Sequence, residues 1–175
     1  MGINYIINDS KIIDDIKIIT PSIHAESRGS IWTSYDVNSL SHLIPDNLIF
    51  NHDKFSRSYQ NVLRGIHGDN KSWKLVSCIH GSIKQVVVDM REDSKTFMKW
   101  DSFDLEGNNP MMILIPPKFG NAFYVRSYEA TYHYKLAYEG TYADADEQFT
   151  VSWNDKNINI DWGIEDPILS ERDSK

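Results

Sequence analysis

The sequence predicts a mainly β fold, and three observations carry that expectation. After about residue 60, short runs rich in β-branched and aromatic residues alternate with turn residues. The apolar run Met111 to Ile115 is cut off by Pro116-Pro117 instead of continuing with a helical period. Within Thr131 to Tyr138, the aromatics Tyr132, Tyr134 and Tyr138 fall on alternate positions, the repeat of a strand. Taken in order, Ile12 to Ile19 and Ile31 to Tyr35 read as strands, and Asp36 to Leu43 as a short helix ending before Pro45. Leu75 to Ile79 and Ile83 to Val88 flank His80-Gly81-Ser82 and read as a hairpin. Ala122 to Val125 resumes extended structure, Thr131 to Tyr138 follows, and a turn-rich tail from Trp153 to Asp173 is expected to pack over the strands. With no repeat, low-complexity stretch or linker, residues 1–175 are read as one domain.

Composition narrows the class. Apolar residues at 41 % and charged residues at 25 % are ordinary for a chain that buries a core. A net charge of −7 argues against broad nucleic-acid binding, which needs basic surface to neutralise phosphates. It leaves room for one nucleotide gripped by a few arginines. No apolar run approaches the length needed to span a bilayer, so no membrane association is expected. The start Met1-Gly2-Ile3-Asn4-Tyr5 lacks signal-peptide features, and the single Cys78 cannot form an internal disulfide; both fit a reducing cytoplasm.

Two segments could carry chemistry. In Val62-Leu63-Arg64-Gly65-Ile66-His67-Gly68-Asp69, strict alternation places Leu63, Gly65 and His67 on one face and Arg64 on the other. Small neighbours leave His67 approachable, as a catalytic base or as a histidine satisfied at a strand end. In Thr131 to Tyr138, the residues Tyr132, Tyr134, Leu136 and Tyr138 share a face. Such a stripe is core in most proteins, although a phenol facing a cavity can also trade protons. No Gly-rich phosphate loop, Gly-x-Ser-x-Gly elbow or Cys-His nucleophile pattern is present, and the histidines show no metal-ligand spacing.

Several short motifs in a fixed order add a resemblance. Val62-Leu63-Arg64-Gly65-Ile66-His67, Lys74-Leu75-Val76, Val86 to Arg91, Ser94 to Phe97, Ile115-Pro116-Pro117, Tyr134-Lys135, Trp153-Asn154-Asp155, Ile160-Asp161-Trp162 and Leu169 to Asp173 together resemble the dTDP-4-dehydrorhamnose 3,5-epimerase family over nearly the whole chain. The resemblance implies a cupin-type jelly-roll β-barrel with short peripheral helices, acting as a homodimer without cofactor or metal. Metal-binding cupins carry a His-x-His pair, and here the second position is Asp69. The family's catalytic base maps onto His67, its orienting carboxylate onto Asp173, its opposite-face tyrosine onto Tyr134, and its enolate-stabilising lysine onto Lys74. Arginines that hold the diphosphate map onto Arg64 and onto Arg28, which is expected to reach across the dimer.

The chain also departs from the family pattern. Gly120-Asn121-Ala122 stands where Ala-His-Gly is usual, His52-Asp53-Lys54 where Gln-Asp-Asn is usual, and Gly68-Asp69 where an aromatic and a glutamine are usual. These changes put the dTDP-rhamnose precursor in doubt, and the set Arg64 to Asp69, Pro116-Pro117 with Gly120-Asn121, and Tyr134 to Tyr138 more closely resembles the branch acting on GDP-linked 4-keto-(6-deoxy)-heptoses in capsule synthesis. A nucleotide-linked 4-keto sugar is therefore the expected partner, with GDP favoured over dTDP. Asn121, Asp69 and Tyr138 are expected to bind it. The alternatives are epimerisation at C3 only, the dTDP-linked hexose, a binding module without turnover, and a metal-dependent cupin oxygenase.

Overall fold

In the computed structural model, which describes residues 2–175, all ladders between strands are antiparallel. A six-stranded sheet runs in the order β1 (Tyr5–Asp9), β2 (Lys17–Pro21), β10 (Met112–Ile115), β7 (Trp73–His80), β12 (Glu129–Ala137), β5 (His52–Tyr59). A five-stranded sheet runs β13 (Phe149–Thr150), β6 (Leu63–Gly68), β11 (Phe119–Val125), β8 (Ser82–Asp89), β9 (Trp100–Glu106). From β6 onward the chain shuttles between the two sheets, giving a cupin-like jelly roll in which the sheets face each other without closing into a barrel. A separate ribbon of β3 (Ile23–Glu26) and β4 (Gly29–Trp32) stands clear of both sheets, with all but one of its residues exposed.

Apolar side chains on both faces of the central strands create three layers of core. Between the sheets, Val76, Ile113 and Tyr132 meet Ile83, Leu105 and Phe123. Their sequence neighbours point outward. Leu75, Leu114 and Met112 pack under Leu40, Ile44 and Phe50, while Val86, Val88 and Ala122 pack under Ile158 and Trp162 of the tail. Double-sided burial explains why β7 and β8 read as continuous apolar runs instead of alternating ones. The tail covers the five-stranded sheet as its sequence suggested, with the Trp162 indole donating to the Trp153 carbonyl at 2.7 Å.

Three sequence expectations need correction. Residues 75–79 and 83–88 do not form a hairpin: β7 and β8 belong to different sheets, and Gly81 turns the corner between them at φ +78°. A Cβ there would approach the Glu129 carbonyl oxygen to 2.1 Å, so the corner requires glycine. Ile12 to Ile19 is not one strand: only Lys17–Pro21 pairs, and Ile13 and Ile16 anchor the preceding turn in the inter-sheet core. Ile31 to Tyr35 ends its pairing at Trp32. The short helix is present as α1 (Val37–Leu40), where the Asp36 carboxylate accepts from Ser39 N at 2.9 Å, followed by a 3₁₀ turn over Ser41–Leu43.

Candidate active site

At one end of the inter-sheet space lies a cavity of about 230 Å³ lined by both sheets. Strand β6 contributes Arg64 and His67, β7 contributes Lys74, β11 contributes Asn121 and Phe123, and β12 contributes Tyr134 and Leu136. His67 and Tyr134 therefore enter from opposite sheets. Five of the nine residues expected at the site line this one cavity.

Strand alternation had placed Arg64 opposite His67, and the structure overturns that. Gly65 adopts φ +117°, and the β6–β11 register slips between Asn121 and Phe123. Leu63 and Ile66 consequently share the outer layer, and Arg64 and His67 share the cavity. A Cβ on Gly65 would come within 2.6 Å of the Asn121 carbonyl oxygen, so the irregularity depends on glycine.

His67 is held from behind. Its Nε2 lies 2.5 Å from Asp173 Oδ1, and Asp173 is buried although it sits two residues from Lys175, the last. Burial alone would raise the Asp173 carboxyl; the hydrogen bond and charge of His67 outweigh it and hold the carboxyl below the ordinary carboxylate range. An ionised carboxylate only accepts, so Nε2 carries the proton and the lone pair of neutral His67 is on Nδ1. Across the cavity, burial pushes the Tyr134 phenol above its usual value, and the Arg64 guanidinium opposes that shift only in part. Tyr134 thus keeps its proton at neutral pH until an acceptor arrives.

Lys74 is buried, with its Nζ 3.0 Å from Asp69 Oδ2. Desolvation lowers the Lys74 pKa, and Asp69 opposes the shift. Asp69 is not among the lining residues. Its carboxylate is occupied by Lys74 and by the backbone N–H groups of Lys71 and Ser72, at 3.0 and 2.6 Å. A residue expected to touch ligand therefore lies behind the cavity and holds Lys74, which lines it.

Two further expectations fall outside the cavity lining. Tyr138 lies beyond the end of β12, its hydroxyl 2.9 Å from His52 Nδ1. Tyr142, four residues on, lines the cavity instead. Arg28 sits at the tip of the β3–β4 ribbon with 83 % of its side chain exposed, paired to Glu26 of the same ribbon. Sequence reasoning missed Gln148 and Arg172 as lining residues. Arg172 donates from Nε to Thr150 Oγ1 at 2.9 Å and from Nη1 to Gln148 Oε1 at 3.4 Å, while its buried Nη2 has no partner. Among the described residues, no three His, Cys, Asp or Glu side chains are placed to share a metal ion.

An oriented histidine and a protonated phenol on opposite walls, with a buried ammonium nearby, suit removal and return of a proton beside a carbonyl. Comparison with known proteins gives this arrangement its class. The family model described as dTDP-4-dehydrorhamnose 3,5-epimerase matches residues 10–175. Relatives named dTDP-4-dehydrorhamnose 3,5-epimerase from Shigella flexneri and Escherichia coli K12 are each 34 % identical, over 164 and 170 residues; these cover 92 % and 93 % of this chain and 89 % of each relative. The Legionella pneumophila epimerase solved with dTDP-4-keto-L-rhamnose superposes with a TM-score of 0.89 at 33 % identity, covering 98 % of this chain and 90 % of that one. A 4-keto-6-deoxy sugar epimerase from Streptomyces spheroides gives 0.88 at 30 % identity, covering 99 % and 87 %. The protein is a carbohydrate epimerase of the isomerase class. It belongs to the dTDP-4-dehydrorhamnose 3,5-epimerase family.

Proposed function

We propose that this chain inverts the carbons flanking the C4 ketone of a nucleoside-diphosphate-linked sugar, with His67 as base and Tyr134 as acid. The observation that carries the reading is the placement of these two groups on opposite sheets around one cavity. Inversion needs a proton taken from one face of a ring and returned to the other. His67 Nδ1 takes the proton beside the ketone, and the electron pair moves onto O4. The ammonium of Lys74 stabilises the resulting enolate, with Asp69 keeping that ammonium charged. Tyr134 then donates to the opposite face of the enolate carbon. Arg64 is the nearest candidate for the diphosphate, since its Nε is steadied by Ser58 Oγ at 2.8 Å.

The substrate favoured by the relatives is the dTDP-linked 4-keto-6-deoxy hexose, because the curated relatives and the Legionella complex carry that nucleotide in their names. The GDP-linked heptose suggested by the sequence departures draws no support from the comparisons. It rests on the sequence motifs at 64–69, 116–121 and 134–138 alone. The relatives named 3,5-epimerase favour two inverted centres over C3 alone. Homodimerisation is proposed on the family resemblance, and the exposed place of Arg28 on a separate ribbon, outside its own cavity, is compatible with it.

The test is mass spectrometry of dTDP- and GDP-linked 4-keto sugars incubated with the protein in deuterated water. Two enzyme-dependent deuteriums on the carbon skeleton are expected with the dTDP sugar. One deuterium would restrict the reaction to a single centre. Exchange confined to the GDP sugar would reverse the nucleotide assignment, and binding without any exchange would sink the catalytic reading.

A further inference from the structure

Behind the cavity wall lies a buried polar cluster that the proton-transfer scheme does not use. Gln85 of β8 and Tyr132 of β12 are both 0 % exposed, and Asn121 of β11 is 8 % exposed. The three side chains are linked: the Tyr132 hydroxyl donates to Gln85 Oε1 at 2.6 Å, Gln85 Nε2 donates to Asn121 Oδ1 at 2.6 Å, and the Tyr132 hydroxyl lies 3.2 Å from Asn121 Oδ1, sharing its one proton chiefly with the nearer Gln85 oxygen. We propose that Gln85 and Tyr132 are positioning residues that lock the Asn121 carboxamide with its N–H groups facing the cavity, where they donate to the substrate oxygen beside the carbon that His67 deprotonates. This deepens the epimerase reading and rests on it.

The orientation follows from a chain of donors and acceptors anchored on the backbone. Gln85 Nε2 also donates to the Val86 carbonyl oxygen at 3.0 Å. A carbonyl cannot donate, so that end of the Gln85 amide is its nitrogen and the other end its oxygen. The Gln85 oxygen then requires a donor, which is the Tyr132 hydroxyl. Burial drives the Tyr132 pKa upward, so the phenol keeps its proton. The second N–H of Gln85 requires an acceptor, which fixes the inner atom of the Asn121 amide as its oxygen. Turning Asn121 over would set NH2 against NH2 in a site without water access, leaving buried donors unpaired.

Asn121 thus spends its oxygen on the protein and keeps its nitrogen for the cavity it lines. It also stands directly opposite His67 in the β6–β11 ladder. Opposed residues on antiparallel strands share a face with Cβ atoms about 5 Å apart. A donor beside the base is placed to bond the oxygen next to the carbon losing its proton, and it is neutral at every working pH. The polarity of this amide is set from behind, by Gln85 and through it by Tyr132 and the Val86 carbonyl.

The test is a double-mutant cycle on solvent-deuterium incorporation with the 4-keto sugar that the wild type turns over. Gln85→Met keeps length and removes both hydrogen-bonding ends. We expect kcat to fall about 10-fold, with KM moving less than about 2-fold, as for other residues that orient a group contacting substrate. In an Asn121→Ala background, Gln85→Met should cost nothing further. An equal loss in both backgrounds, or no loss in the single variant, overturns the proposal. Should Gln85→Met fold poorly by thermal unfolding, Tyr132→Phe removes only the hydroxyl that donates to Gln85 and should show a smaller kcat loss with the same dependence on Asn121. Orientation is also readable without turnover, so failure of the epimerase reading is separable. In the wild type, the side-chain amide protons of Asn121, assigned by their absence in Asn121→Asp, should show NOEs to the His67 ring; NOEs to the Gln85 amide protons instead would refute the lock.

Discussion

Two clusters of buried charge in this molecule use the same residue types to opposite ends. Around Asp89, at the rim of a larger crevice of about 860 Å³ that Arg91 lines, every acceptor is filled. The carboxylate takes Arg91 N, Nε and Nη2 at 3.0, 2.9 and 2.8 Å, with the Ser94 and Thr96 hydroxyls each at 2.6 Å. Arg91 Nη1 is spent on Asp15 at 2.7 Å. The site cavity is smaller and its polar groups are left partly open: His67 keeps a lone pair, Arg172 an unpartnered Nη2, and Asn121 its amide nitrogen. In the first cluster the saturated carboxylate holds the fold, and in the second the open groups fit the ligand role proposed for that cavity. Size of the crevice is no guide to which is which.

The strongest way to break this contrast is at His67. His67→Asn removes the base while preserving shape, and turnover should fall by about 10² to 10⁴-fold with nucleotide-sugar affinity little changed. Calorimetric titration beside the exchange assay checks both halves. Loss of affinity in step with turnover would make His67 a binding group.

Next in size is Asp69, which straddles the two categories. Asp69→Leu strands the buried ammonium of Lys74, and a loss of about 3–5 kcal/mol in unfolding free energy is expected by chemical denaturation. Adding Lys74→Met should return much of that stability without returning activity. A double variant as unstable as the single would show that Asp69 matters for its turn and not for its lysine.

Asp89→Asn probes the saturated cluster and should cost about 2 kcal/mol at neutral pH while sparing kcat, since hydrogen bonds to a charged acceptor are lost. Its pH signature has a defined sign. Burial would raise the Asp89 carboxyl, but Arg91, Ser94 and Thr96 hold it well below its ordinary range. A depressed folded-state pKa stabilises above the unfolded value near 4 and loses that stabilisation as pH falls below it. Asp69 and Asp173 act in the same direction. Acid unfolding should therefore begin below about pH 4, and Asp89→Asn should flatten the slope there. An unchanged slope would mean that Asp89 does not dominate acid sensitivity.

How much of this was legible in the sequence follows from where each residue sits. His67 and Tyr134 could be read because they lie in strands, where a period of two reports the face. Alternation alone put Arg64 on the wrong face, because Gly65 at positive φ breaks that period within three residues of His67, and only the resemblance named it for the site. The corner at Gly81 imitates a hairpin, since both have apolar strands around a glycine; only the sheets to which the strands belong separate them. Asp173 was found by resemblance alone, a terminal aspartate being an unremarkable solvated residue on local grounds. Asp69 was expected near the ligand through the resemblance, and its bond to Lys74 depends on a turn with no apolar period. Tyr142, Gln148 and Arg172 come from irregular segments around β13, where no repeat exists to assign a face. The fold was carried by periodicity, and the misses fall where periodicity stops.

Arg172 is the smallest effect expected and the sharpest test of the contrast. In the free protein its Nη2 is buried without a partner, a desolvated donor that contributes nothing to the fold. Arg172→Leu should therefore leave the unfolding free energy within about 0.5 kcal/mol of wild type, a surface-like value despite its contacts with Gln148 and Thr150. The same change should raise KM for the nucleotide-linked sugar about 5-fold, in line with about 1 kcal/mol for a single hydrogen bond gained on binding. Chemical denaturation and steady-state kinetics on one preparation measure both quantities. A stability loss above about 2 kcal/mol with KM unchanged would move Arg172 into the company of Arg91. It would also show that an unpartnered buried donor can belong to the fold, which is the point at which the distinction between the two clusters would give way.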